Sequence, residues 1–152
     1  LKFLYMIPDF QNPSGESLTL EERRMLVELA DRYDFLIVED SPYRELRYEN
    51  EHIPTLYSLS PDRVIHLGSF SKIFAPGFRL GWVMASREVI EKIEVAKQSA
   101  DLCTPIFSQE VAARYSNELL KRAGEDDAMV LDMNFRGKEP SIDPLLANRG
   151  LK

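Results

Sequence analysis

The chain reads FLIVED from residue 35 to residue 40. Its leading apolar residues follow one another without a polar interruption, which is typical of a strand buried on both faces of a parallel sheet. The acids Glu39 and Asp40 come next, at the end of the strand where open α/β sheets bind ligands. Ser41-Pro42 then ends the strand. The segment therefore predicts a parallel sheet with functional groups along one edge.

Three further segments predict strands of the same sheet. They are short runs rich in aromatic and β-branched residues, and we expect each of them to be buried. Their ranges are 2–7, 63–68 and 80–84. The first strand begins almost at residue 1, so we expect the chain to be a piece of a longer protein.

Helical periodicity appears between and after these strands. Thr19 and Glu22 form the pattern of a capping box, and the apolar residues behind them predict a helix over 20–33. Two more helices are predicted over 87–97 and 105–120. Strands that alternate with helices predict an α/β fold, with three α/β/α layers around a mostly parallel sheet.

The composition is that of a packed globular domain. Of the 152 residues, 44% are hydrophobic and 29% are charged, close to ordinary averages. The formal net charge of −6 argues against a surface dedicated to nucleic acid or to anionic membranes, so we expect neither as a partner. The apolar runs are also too short to span a membrane.

Cysteine and histidine usage excludes two further classes of site. The single cysteine, Cys103, cannot form an internal disulfide, and this usage is typical of a reducing, cytoplasmic compartment. Neither His52 nor His66 stands at metal-ligand spacing, so we expect no metal site. His66 lies inside a predicted strand and is expected to be a packed core residue.

Three polar residues each follow a predicted strand. Asn12, Asp40 and Lys72 would converge on one crevice if their strands are neighbours, because the carboxyl ends of parallel strands meet at one edge. A partly desolvated lysine there can form a Schiff base with a carbonyl or with pyridoxal phosphate. Taken singly, each residue also has a structural interpretation, as a turn asparagine, a helix cap or a surface lysine.

Four short motifs occur in a fixed order along the chain. They read NPSG at 12–15, DSPY at 40–43, SFSK at 69–72 and RLG at 79–81. In this order they resemble the large-domain core of the fold type I pyridoxal-phosphate-dependent aminotransferases of class I and II. The surrounding residues are similar to the subgroup that acts on 2-aminoadipate and aromatic amino acids, a pattern also found in aminotransferase-like domains of certain transcription regulators.

The resemblance implies a site for pyridoxal 5'-phosphate. Lys72 would hold the cofactor as a Schiff base and move a proton as general base and acid, and Asp40 would pair with the pyridine nitrogen. Tyr43 would complete the catalytic set by holding the ring's phenolic oxygen. Asn12 would also hydrogen-bond the phenolic oxygen, and the two serines and the arginine of the motifs would bind the phosphate. The implied cofactor-binding residues are therefore Asn12, Asp40, Tyr43, Ser69, Ser71, Lys72 and Arg79.

The resemblance also implies a partial chain. Residues 1–116 would form part of a large domain of the aspartate aminotransferase-like fold, and 117–152 an atypical tail. Members of the family carry a glycine-rich loop upstream and, downstream, an arginine that grips the substrate carboxylate, and neither region matches this chain. The full-length family implies a homodimer.

The implied function is transamination, which moves an amino group between an amino acid, such as 2-aminoadipate or an aromatic one, and a 2-oxo acid. Two alternatives use the same scaffold. One is a non-enzymatic, effector-binding domain of a transcription regulator, and the other is a pyridoxal-phosphate-dependent C-S lyase.

Overall fold

A four-stranded sheet organises the first part of the chain. The computed structural model describes residues 2–47 and 52–117. Contacts separate the chain into two units, Leu1–Thr104 and Pro105–Lys152. The sheet lies in the first unit and has the order β1-β2-β3-β4. Its strands are β1 (Phe3–Met6), β2 (Leu36–Asp40), β3 (Val64–Ser69) and β4 (Gly81–Met84).

The sheet is mostly parallel, as the sequence predicts. Strands β1 and β2 pair in parallel, and so do β2 and β3, whereas β4 runs antiparallel to β3. The register places Leu4 beside Ile37, and Ile37 beside Val64. Strand β2 ends at Asp40, directly before Ser41-Pro42 as predicted, whereas β3 ends one residue later than predicted, at Ser69.

The prediction that β1 and β4 are buried strands is wrong. Phe3 and Tyr5 of β1 are 59% and 53% exposed, and Trp82 and Met84 of β4 are 38% and 39% exposed. Both strands lie at the edges of the sheet, and the buried core is centred on β2 and β3. An apolar run therefore indicated a strand correctly without indicating its place in the sheet.

One helix packs its apolar face on the sheet at the predicted place. Helix α1 spans Leu20–Tyr33, and its predicted capping box is present: Thr19 Oγ1 accepts from Glu22 N, and Glu22 Oε2 accepts from Thr19 N at 2.8 Å. The buried core joins α1 to β2, β3 and the short helix α2 (Leu56–Leu59) through five side chains: Ala30, Phe35, Ile37, Leu56 and Val64.

Three further helices follow. Helix α3 spans Phe70–Ile73, α4 spans Arg87–Ala100, and α5, in the second unit, spans Ile106–Tyr115. Helix α4 extends beyond its predicted end, and the predicted tail from residue 118 onward lies outside the described residues. No helix within the described ranges has the length and apolarity needed to cross a membrane.

Candidate functional site

The strand order brings the three predicted chemical segments to one edge of the sheet. Strands β1, β2 and β3 are consecutive, parallel neighbours, so their carboxyl ends point the same way. Asn12 lies in the loop after β1, Asp40 ends β2, and Lys72 lies in α3, directly after β3. The condition set by the sequence analysis, that these strands be neighbours, is met.

Asp40 is held by a residue that the sequence analysis did not select. The Tyr5 hydroxyl of β1 donates to Asp40 Oδ2 at 2.5 Å. Both side chains lie on the sheet face opposite the core, because alternate residues of a strand face opposite sides and Tyr5 pairs with Val38. The hydrogen bond to Asp40, with smaller contributions from burial and from the carboxylate charge, raises the pKa of Tyr5 to about 12.

This contact predicts a late-ionising tyrosine in the chain without any ligand. In an ultraviolet titration, Tyr5→Phe should remove a component that ionises near pH 12, because the carboxylate of Asp40 holds the phenolic proton. Asp40→Asn should move that component back toward 10.0, the ordinary pKa of tyrosine. The matched control is Tyr33→Phe, which removes an exposed tyrosine and should leave the component in place. Burial also raises the pKa of Tyr115, so the refuting result is a component near pH 12 whose amplitude is the same in Tyr5→Phe as in the unmodified chain.

Lys72 lies beside Tyr43. Its Nζ atom is 6.0 Å from the centre of the Tyr43 ring, at the outer limit of a cation–π contact. Tyr43 begins a 3-10 turn over Arg44–Leu46, and this turn packs against α3. The lysine side chain is exposed, so its amine is accessible to a carbonyl compound.

The predicted phosphate-binding residues flank Lys72. Ser69 caps α3, where its Oγ accepts from Ser71 N at 3.1 Å. Arg79 adopts a left-handed φ of 50° at the end of a second 3-10 turn, Pro76–Phe78, which also packs against α3. Its guanidinium donates to the Pro76 carbonyl at 3.5 Å. Ser69 thus caps α3, Ser71 lies within it and Arg79 ends the turn that packs against it. Their phosphate role stays a prediction.

Asn12 and Tyr43 line a common cavity of about 410 Å³. Phe10, Pro13 and Leu46 contribute to its walls. The loop after β1 is shaped by backbone hydrogen bonds around Gln11, whose carbonyl accepts from Gly15 N at 2.6 Å. The structure thus brings together Asn12 with Tyr43, and Tyr43 with Lys72.

A buried charge cluster next to this cavity was also missed by the sequence analysis. Asp9 and Arg23 are both 0% exposed and form an ion pair at 2.8 Å. Arg44 and Arg47 also contact the Asp9 carboxylate. Arg23 gave no signal in the sequence, because it stands among charged residues in the first turns of α1, which is the usual composition of a solvated helix face.

The family model for aminotransferases of class I and II matches residues 6–137. The chain belongs to this family. The match runs past residue 116, and the boundary between large domain and tail at that residue stays a prediction. It includes all seven residues predicted to bind the cofactor.

Relatives and solved structures of this aminotransferase family agree with the fold. Aromatic-amino-acid aminotransferase 1 of Thermococcus litoralis is 53% identical over 116 residues, which are 76% of this chain and 28% of the relative. The 2-aminoadipate transaminase of Thermus thermophilus is 40% identical over 79% of this chain and 30% of its own length. The structure of Pyrococcus horikoshii kynurenine aminotransferase superposes with a TM-score of 0.75 at 44% identity, covering 90% of this chain and 32% of that one.

These comparisons confirm the predicted α/β, aspartate aminotransferase-like fold class and the expectation of a partial match. The chain spans less than a third of the length of the relatives described above. The part that it spans contains the carboxyl edge of the sheet, with Asp40, Tyr43 and Lys72.

Proposed function

We propose that this chain carries the cofactor-binding centre of a pyridoxal-phosphate-dependent aminotransferase. The observation that carries the proposal is the convergence of Asp40, Tyr43 and Lys72 at one edge of parallel strands, in a chain of this family. The reaction is transfer of an amino group between an amino acid and a 2-oxo acid. The names of the relatives support an aromatic amino acid or 2-aminoadipate as the amino donor.

The residues at this edge fit pyridoxal phosphate chemically. The cofactor needs a carboxylate for its ring nitrogen, and Tyr5 occupies only the Oδ2 atom of Asp40. It needs an amine, and Lys72 is exposed beside Tyr43. Between Asp40 and Tyr43, the Ser41 hydroxyl is buried and has no hydrogen-bond partner within the described residues, so a polar group remains to be satisfied at this point.

Each residue then has a defined task. When bound, the cofactor supplies an electron sink for the pair released at the substrate Cα. Asp40 keeps a proton on the ring nitrogen, which strengthens that sink, and Tyr43 and Asn12 donate to the phenolic oxygen. Lys72 supplies the amine for covalent attachment and, when free, takes up and returns a proton at Nζ. Ser69, Ser71 and Arg79 hold the phosphate, the arginine by its planar pair of donors.

Two aspects concern the whole protein rather than this chain alone. We propose a homodimer in the full-length enzyme and a cytoplasmic location, the latter from the single cysteine. The C-S lyase alternative is not favoured, because the relatives compared above are named as aminotransferases. The transcription-regulator alternative is less favoured, because the HTH-type transcriptional regulator NorG of Staphylococcus aureus is 33% identical to this chain, below the 53% and 40% of the two aminotransferases.

The direct test is covalent capture of the cofactor. The folded chain is incubated with pyridoxal phosphate, reduced with borohydride, digested and mapped by mass spectrometry. We expect the pyridoxyl group on Lys72 in preference to Lys92 and Lys97, whose amines are engaged by acids on α4 and at its end. Equal labelling of all accessible lysines would contradict a site, because it would show only the general reactivity of exposed amines.

A further inference from the structure

The Asp9 cluster, defined as Asp9 with Arg23, Arg44 and Arg47, connects three segments of the chain. Asp9 lies three residues before Asn12, Arg44 follows Tyr43 directly, and Arg23 belongs to α1. The Asp9 carboxylate accepts from Arg23 at 2.8 and 3.2 Å, from Arg44 at 3.2 Å and from Arg47 at 3.3 Å. One buried carboxylate thus ties the loop after β1 to the segment after β2.

Arg23 is the fixed point of this cluster, because all five of its N–H donors are used. Two donate to the two oxygens of Asp9. The other three donate to backbone carbonyls of Pro8, Leu18 and Pro54, at 3.1 to 3.2 Å. A planar guanidinium with every donor satisfied holds its partners in one geometry.

Arg47 adds a second connection between the same two segments. Its guanidinium carbon lies 4.8 Å from the centre of the Phe10 ring, in cation–π geometry. Phe10 itself has a φ of 53°, a left-handed conformation that is costly for an aromatic residue and has to be held by its surroundings. Phe10, Asn12 and Tyr43 all line the cavity described above.

The cluster is an inefficient way to stabilise a fold. Three guanidiniums share a single carboxylate, and desolvation of buried charges offsets most of their attraction. Arg47 Nε is buried with no hydrogen-bond partner within the described part of the chain. Burial alone would raise the pKa of Asp9, but hydrogen bonds and charge from Arg23, together with Arg44, hold that pKa below its ordinary value. The carboxylate is therefore kept ionised, and its benefit is a defined geometry.

We propose that the Asp9 cluster is a positioning device that couples the Asn12 loop to the Tyr43 turn, so that both residues reach the same atom of the bound cofactor. The cofactor part rests on the function proposed above. Neither Asp9 nor its arginines contact the cofactor in this scheme, and they act only through Asn12 and Tyr43.

The first test needs no cofactor. Arg44→Met removes one tie and keeps an apolar stem of similar length. Backbone hydrogen exchange, read by mass spectrometry, should become faster in both segments, 10–15 and 43–47, because the cluster joins them. The matched control is Arg63→Met, which removes an arginine that pairs with the carboxylates of Asp31 and Asp34 at an exposed site. Faster exchange confined to residues 43–47 would overturn the coupling.

The second test uses the chain loaded with pyridoxal phosphate. Hydrogen bonds that Tyr43 and Asn12 donate to the phenolic oxygen favour loss of the proton that this oxygen shares with the attached amine. If the two donors are misplaced, the pH at which the visible absorbance of the bound cofactor changes should therefore rise. We expect Arg44→Met to raise this midpoint and to weaken cofactor binding by roughly tenfold, about 1.4 kcal/mol. Arg44→Lys, which keeps the charge, should recover part of both effects, and Arg63→Met should show neither.

A purely structural role gives a different pattern. In that case Arg44→Met lowers the midpoint of thermal unfolding but leaves the absorbance midpoint where it was, and the proposal fails. If the unmodified chain takes up no pyridoxal phosphate on Lys72, the proposed function fails and positioning of a cofactor fails with it. The exchange experiment still decides whether the cluster couples its two segments.

Discussion

Lys72→Ala is expected to abolish covalent capture of pyridoxal phosphate. The reaction needs an accessible amine at the carboxyl edge of the sheet, and among the described residues Lys72 is the lysine that lies beside Tyr43. Lys72→Arg should fail as well, because a guanidinium keeps its proton and cannot form the bond to the aldehyde carbon. Removing an exposed side chain should change the free energy of unfolding by no more than about 0.5 kcal/mol. Loss of capture would therefore report chemistry rather than misfolding.

The measurement is the yield of pyridoxyl-labelled chain after borohydride reduction, compared at equal folded fraction by circular dichroism. Lys92→Ala is the control, since it removes an exposed lysine of α4 that pairs with Glu88 far along the sequence from the site. Its yield should match that of the unmodified chain. A Lys72→Ala chain that still captures the cofactor at one defined position would assign the attachment to another residue.

The strands and the first helix could be predicted because their signals are local. Continuous apolar runs mark the parallel strands, and the capping box at Thr19 and Glu22 marks the start of α1 to the residue. Burial of β1 and β4 could not be predicted, since it depends on which elements cover each face. Phe3 and Trp82 have the composition of core residues and lie on edge strands.

The site was predictable to the extent that topology determines it. Residues that follow parallel strands lie at one edge, which places Asn12, Asp40 and Lys72 at the same edge from their positions alone. Tyr5 was not found, because an aromatic residue inside a strand ordinarily indicates packing. Its hydroxyl reaches Asp40 only because β1 pairs with β2 in this particular register. Partners that are distant in sequence carry no periodic signal.

The two acids that end β2 illustrate the same limit. In the sequence Glu39 and Asp40 form one acidic pair, but the pleat sends them to opposite faces of the sheet. Asp40 lies on the face of Tyr5, whereas Glu39 is 0% exposed on the core side. Glu39 accepts from Leu56 N and Tyr57 N at the start of α2, and contacts His66 Nδ1, each at 3.0 Å. The expectation that His66 is a packed core residue is confirmed, and Glu39 is its partner.

Glu39→Ala is therefore expected to destabilise the chain strongly. The substitution leaves two backbone N–H groups of α2 without their acceptor and removes the partner of a buried histidine, and each such buried orphan costs about 1–3 kcal/mol. We expect a loss of at least about 3 kcal/mol in the free energy of unfolding, a large part of the total for a domain of this size. Urea unfolding can be followed by the fluorescence of the single tryptophan, Trp82.

The neighbouring acid provides the matched control. Asp40→Ala removes a half-exposed carboxylate whose hydrogen bond to Tyr5 lies at the surface, so the urea midpoint should move little. It should nevertheless weaken cofactor capture, because it removes the proposed partner of the ring nitrogen. Glu39→Ala should instead lower the urea midpoint strongly, and the fraction that stays folded should still capture the cofactor. Equal losses of stability in the two variants would mean that adjacent acids on opposite faces of β2 do not have separate roles, and the assignment of Asp40 to the cofactor would lose its basis.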